Sequence, residues 1–276
     1  MVHVVTDSAA NLPADLAAEL GVLVVPLHLT IGERVFRDGV DIGMQEFYEQ
    51  LKQGEDVATT SAPSPGDFLE VFRGVPEGED IVCVTVAAAV SATNLAARTA
   101  ASQLDRPIEI VDSTNASMAE GFVAIEAARS ARAGAPTEEV VHRAERVAAR
   151  SRILATIDTF EFLRRSGRVR RAQAYAATML NIKPVFEFKD GDAEGVARPR
   201  TRGRALERIV ADTVKEAAGT GLHLAAFHAL AEADAKELVR RVEAEVEVVE
   251  SYVVEATPVV GAHTGPGLVG TAFFCD

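Results

Sequence analysis

Residues 3–31 read HVVTDSAANLPADLAAELGVLVVPLHLTI, and this stretch decides the fold class. HVVT is a short β-branched run, NLPADLAAELG carries helical spacing, and VLVVPLHLTI returns to the apolar, β-branched composition of strands. Pro13 falls in the first turn of that helix and Gly21 just past its end, the positions favoured by proline's fixed φ and glycine's access to positive φ. Apolar strands separated by helices bury both strand faces, which is the βαβ pattern of a parallel sheet. The alternation continues through MQEFYEQLK (44–52), a helix over 66–73, IVCVTV (81–86), a helix beginning near Ser91, IEIVDS (108–113) and a helix from about Ser117 to Arg132. The first half is expected to form a three-layer α/β/α domain around a parallel sheet.

After the polar helix TEEVVHRAERVAARSR (137–152) the pattern changes. ILATI (153–157), a short DTFEFLRR helix (158–165) and a hairpin through KPVFEFKDGDAEGVARPR (183–200) follow, with turn chemistry from Lys189 to Asp192. A long helix from about Arg202 to Ala218, the strand LHLAAFHA (222–229), a helix over Glu232 to Glu245, and strands at VEVVESYVV (246–254), TPVVGAH (257–263) and VGTAFF (269–274) complete the chain. These predict a second α/β domain with a mixed sheet, so the expected division is 1–150 and 151–276.

The 276 residues are 48% hydrophobic and 25% charged, enough apolar material for one large or two ordinary domains. A net charge of -13 argues against nucleic acid or anionic headgroups as general partners. The opening MVHVVTDSAANLP has an early acid and no long apolar core, and no run approaches the roughly 18 apolar residues of a membrane span. A cytoplasmic protein with no stable membrane insertion is the expectation. Cys83 and Cys275 offer neither a disulfide framework nor a four-ligand zinc site, and read as two buried thiols.

Gly265-Pro266-Gly267-Leu268-Val269-Gly270 matches G-x-G-x-x-G formally, but TAFFCD after it is a strand pattern where a dinucleotide site needs a helix. The glycines are read instead as a tight turn. No G-x-x-x-x-G-K-[ST] phosphate loop occurs. Hydroxyl residues gather where strands end: Thr6-Asp7-Ser8, Thr60-Ser61, Ser91 and Asp112-Ser113. Each alone suits a helix cap. Together they would line the one edge where parallel sheets bind ligands, and neutral hydroxyls and amides suit a carboxylate. His263, before the glycine turn, is the candidate functional histidine; His3, His28, His142, His223 and His228 are read as structural or surface residues. Ser91, His263 and Asp7 could form a hydrolase triad, without the G-x-S-x-G elbow. Two arginine clusters, Arg164 to Arg171 and Arg198 to Arg204, lack interleaved aromatics and point to a protein or carboxylate contact.

TDSAANLP (6–13), TSAPSPGDF (60–68), IVDSTNASM (110–118), DTFEFLRRSGRV (158–169), LNIKPVF (180–186) and HTGPGLVGTAF (263–273) together resemble the DegV family, in family order and across nearly the whole chain. The resemblance implies a bacterial fatty-acid-binding carrier that is not itself an enzyme. Such a carrier holds a long acyl chain for a separate ATP-dependent fatty acid kinase, whose acyl phosphate product enters phospholipid metabolism, and no cofactor beyond the bound fatty acid is implied. By motif, Thr60, Ser61, Ser91 and His263 would hold the carboxylate, with Arg168 near its exposed end or a partner, and no residue would be catalytic or metal-binding. The sequence departs from the family pattern at Ala87 to Ala92, at Ala62 and at Ser166, which removes polar groups near the presumed head-group loop. The acyl tunnel is expected between or near the domains, lined by apolar residues of the helices near Phe122 and Met179 and of strands of the second domain. The alternative function is a lipid or ester hydrolase using Ser91 and His263.

Overall fold

The computed structural model describes residues 1–53, 58–167, 182–217 and 221–276. The chain opens with β1 (Val2–Asp7), α1 (Ala14–Leu20), β2 (Leu23–Val25), β3 (His28–Ile31), β4 (Arg34–Arg37), α2 (Met44–Gln53), β5 (Thr59–Ser61), α3 (Pro65–Gly74), β6 (Asp80–Thr85), α4 (Thr93–Ala101) and β7 (Ile108–Asp112). Strands β2-β1-β6-β7, in that order, form a wholly parallel sheet. The run VLVVPLHLTI, expected as continuous strand, divides at Pro26. Its first part pairs with β1, and its second heads a separate antiparallel sheet in the order β4-β3-β5. Proline has no N–H to donate to a ladder, so the chain changes sheets there. On one face of the parallel sheet, Phe68 and Phe72 of α3 and Ala96, Ala97 and Ala100 of α4 pack against Val5, Ile81 and Cys83. Ser64 and Asp67 form a reciprocal capping box that starts α3.

The other face is covered by α5 (Ser117–Arg132) and α6 (Thr137–Arg150). Then come β8 (Arg152–Thr156), α7 (Glu161–Ser166), β9 (Val185–Lys189), β10 (Asp192–Ala197), α8 (Arg202–Glu216), β11 (Leu222–His228), α9 (Glu232–Glu243), β12 (Val248–Glu255), α10 (Pro258–Thr264) and β13 (Val269–Cys275). The second large sheet has the order β10-β9-β8-β13-β11-β12, antiparallel except for β11 and β12, and is therefore mixed. Alternation along β11 sorts the two faces. Leu222, Leu224 and Ala226 join the core beneath α8 and α9, whereas Ala225 and Phe227 face the core that holds α5.

Helix α5 thus lies between two sheets, against β1 on one side and β13 on the other. Met118, Ala119, Phe122, Val123, Ala124 and Ile125 are all fully buried, which is why its sequence is apolar nearly all round and not along a single stripe. One hydrophobic core therefore runs through both halves of the chain.

TPVVGAH, expected as a strand, is the helix α10. Pro258 occupies its first turn after Thr257, where a missing N–H costs nothing. The glycine turn behaves as read. Gly265 and Gly267 take positive φ (80° and 83°), and a Cβ on Gly267 would meet the Asp158 carboxylate at 2.2 Å. That carboxylate is held by Lys183 at 2.9 Å and Arg202 at 3.1 Å, and Arg202 also donates to the Gly267 carbonyl at 2.8 Å. Part of the second arginine cluster therefore clamps this turn from within. Cys83 is buried, Cys275 is partly so, and both are free thiols.

Candidate functional site

The small antiparallel sheet and α10 bring residues distant in sequence together. Thr60, on β5, lies with its Oγ1 2.8 Å from Nε2 of His263, in the last turn of α10. Buried polar groups fix that helix. The Val259 amide donates to Asp38 at 2.9 Å, and the other Asp38 oxygen accepts from the Ser8 hydroxyl at 2.7 Å. Asn11 donates to the Thr257 hydroxyl at 3.2 Å and accepts from Ser117 at 2.9 Å. Tyr48 of α2 donates to the Gly261 carbonyl at 2.9 Å, where a Cβ on Gly261 would meet the Met44 sulfur at 2.8 Å. Burial raises the Asp38 pKa, and the hydrogen bonds from Ser8 and the Val259 amide act against it.

Thr60 and His263 stand on the wall of a cavity of about 310 Å³ that Ser61 and Ser91 also line. Its body is apolar: Ile153 and Ile157 beside β9's Phe186 and Phe188, with Phe227 and Leu268. Ala9, Val86 and Ala116 contribute from the C-terminal edge of the parallel sheet, so the cavity lies between the two large sheets. Ser91 has its Oγ 2.7 Å from Thr93 Oγ1 and accepts the Thr93 amide at 3.3 Å, a cap-like contact at the start of α4. All four sequence-proposed carboxylate residues therefore reach one cavity. Arg168 and Met179 lie outside the described residues, as do Arg170 and Arg171. Phe122 does not line the cavity. Its ring packs edge-on against Phe274 at 5.4 Å in the shared core, because the inward face of α5 meets β13 there. Asp7, the third member of the hydrolase triad considered with Ser91 and His263, accepts hydrogen bonds from the amides of Ala9 and Val86 at 3.0 and 2.8 Å.

Asp7 is notable, because those two amides belong to cavity-lining residues and place its carboxyl directly behind the cavity floor. It is fully buried beside Glu120 of α5, itself fully buried. Glu120 Oε1 accepts from the Thr6 hydroxyl at 3.3 Å, and among the described residues Oε2 has no hydrogen-bond partner. Burial pushes the Asp7 carboxyl up to about 7, against the lowering effect of the Val86 and Ala9 amides; burial and the Asp7 charge push Glu120 well up. Sequence reading passed over Glu120, whose only signal is an acid inside the apolar stretch SMAEGFVAIEAA.

A second polar cluster joins α5 to the far sheet. Arg129 bridges Glu126 at 2.8 Å and Glu250 at 2.6 Å, Arg143 also binds Glu126, and His223 Nδ1 lies 2.7 Å from Glu250. Glu126, His223 and Glu250 bring ligand atoms within 4.8 Å of one another. The arginines already satisfy these carboxylates, so the group serves as an ion-pair network. Burial opposes ionisation of Glu250, but hydrogen bonds from Arg129, His223 and Tyr252 outweigh it and hold the carboxyl well below its usual range. His223 also stacks on Phe274 at 4.2 Å, which fits its reading as structural.

Residues 1–276 match a family model described as "Uncharacterised protein, DegV family". Among curated relatives, a DegV domain-containing protein of Streptomyces coelicolor is 35% identical over 272 residues, covering 98% of this chain and 96% of that one. Among solved structures, a DegV family protein from Thermus thermophilus, described for its fatty acid binding, superposes with a TM-score of 0.95 at 31% identity, covering 100% of this chain and 99% of that chain. DegV from Bacillus subtilis, described as a fatty acid binding protein, gives 0.88 at 26% identity with 100% and 99% coverage. Among the described residues no helix is long and apolar enough to cross a membrane.

Proposed function

The chain belongs to the DegV family, and from that premise we propose that it is a cytoplasmic, non-catalytic carrier that buries one long-chain fatty acid and presents its carboxylate to a separate ATP-dependent kinase. The observation that carries this reading is the apolar cavity whose polar wall holds Thr60, Ser61, Ser91 and His263. Removing each methylene from water contributes about 0.8 kcal/mol, so affinity resides in the tail. A carboxylate cannot follow the tail inward without compensation. The hydroxyls and the imidazole provide it, and leave the head group at the wall for phosphorylation. Arg168 would stand near the exposed head or the partner. The sequence holds no phosphate loop of its own, and this reading assigns the nucleotide to the kinase.

Native mass spectrometry of the purified protein is expected to show one fatty acid per chain, released on denaturation. Thr60→Val and Ser91→Ala each remove a hydrogen bond to a charged group, worth about 1.5–3 kcal/mol, so fatty acid affinity falls by roughly tenfold to a hundredfold. Protein that is empty as purified and ignores added fatty acids would defeat the reading.

A further inference from the structure

The cavity has a direction. Ile157, Ala155 and Ile153 alternate onto its wall along and just beyond β8, and at about 3.3 Å per residue Ile153 lies about 13 Å from Ile157. Ile157 is at the His263 end. It leads into α7, whose Phe162 ring packs against Gly265, two residues from His263. At the opposite end Phe188 is in register with Ile153 on one side and Ala193 on the other, and all three side chains line the cavity.

Phe188 is also a wall of a second cleft, of about 240 Å³, whose other lining includes Arg150, Ser151, Arg152, Glu187 and Lys189. Arg152 is paired there with Glu187 at 2.6 Å and, beyond the cleft wall, with Glu216 at 2.7 Å. Phe188 thus lines both an apolar cavity and a charged cleft. The hairpin that carries it is docked firmly: Gly191, at its tip with φ 74°, sits where a Cβ would be 2.4 Å from Ala89 Cβ.

We propose that Phe188 closes the end of the acyl cavity farthest from His263 and so sets the chain length that the protein accepts, an inference that rests on the fatty-acid reading above. Methylenes that reach Phe188 meet a stop, and those beyond it have only the charged cleft to enter, where an apolar tail gains nothing and the ion-paired groups lose hydration.

The test is the dissociation constant for straight-chain saturated acids from lauric to arachidic, measured on wild type, Phe188→Ala and Phe188→Leu. In wild type, affinity is expected to rise about fourfold per added methylene and then stop rising. In Phe188→Ala the rise continues for at least two more methylenes, so the longest acids gain on the order of tenfold over wild type. Phe188→Leu, which keeps the site filled if the alanine variant folds poorly, falls between them. A plateau at the same length in all three proteins overturns the assignment of Phe188 while leaving the carrier reading intact. Wild type that binds no acid of any length removes the carrier reading, and this inference with it.

Discussion

Truncation of Phe122 to alanine is expected to lower the unfolding free energy by about 3–5 kcal/mol. The ring is fully buried and contacts Phe274, Tyr252 and His223 at centroid separations of 5.4, 6.2 and 6.4 Å. These three belong to β13, β12 and β11, whereas Phe122 belongs to a helix that also packs on β1. The void therefore opens at the layer shared by both sheets, which has little freedom to collapse around it. Denaturant titration reads the effect as a lower midpoint at unchanged slope. A loss below about 1 kcal/mol would mean that the middle layer relaxes freely and is not one continuous core. Because Phe122 is outside the cavity wall, the folded variant should retain its fatty acid stoichiometry, in contrast to the expectation from sequence that placed the tunnel beside it.

Wild-type stability should carry a component that declines as pH rises from about 4 to about 7, and Asp7→Asn should reduce it to the part carried by Glu120. The Asp7 pKa, pushed up from 3.8 to about 7 by burial, lies above its unfolded value. Between those two values the folded protein binds more protons than the unfolded chain, so unfolding releases protons and becomes easier as pH rises. The component is fully favourable below the unfolded pKa and is lost as pH climbs to the folded one, a change of about 4 kcal/mol at most. Glu120, raised well above its usual range beside it, shares this behaviour, so the two carboxyls titrate as a pair. Asp7→Asn also disturbs an acceptor for the Ala9 or Val86 amide, a cost that does not vary with pH. The informative quantity is therefore the slope of the difference between the two proteins. Equal slopes for wild type and Asp7→Asn would show that the carboxyl ionises without penalty, and that its burial has been relieved by solvent.

Much of the architecture was legible in local patterns. Strand-helix alternation from His3 to Asp112 specifies a parallel sheet, because apolar strands buried on both faces need helices on both sides. The turn residues Asp190 and Gly191 specify the β9–β10 hairpin. The same local reasoning misread TPVVGAH, since β-branched composition favours a strand until Pro258, the Asp38 cap on the Val259 amide and packing on α2 and α7 select a helix.

By itself the sequence determined the layer types and most of the helices and strands, and its motifs carried the family resemblance that singled out Thr60, Ser61, Ser91 and His263. These depend on periodicity and short motifs, which are written within a few consecutive residues. Only the tertiary structure decided that Thr60 meets His263 across 203 positions of chain, that Asp7 and Glu120 meet across 113, and that Phe188 lines both an apolar cavity and a charged cleft. Such pairings are set by how two sheets close on a shared helix. No local pattern records them, because the free energy that fixes them comes from burial across the whole core, far from the groups it brings together.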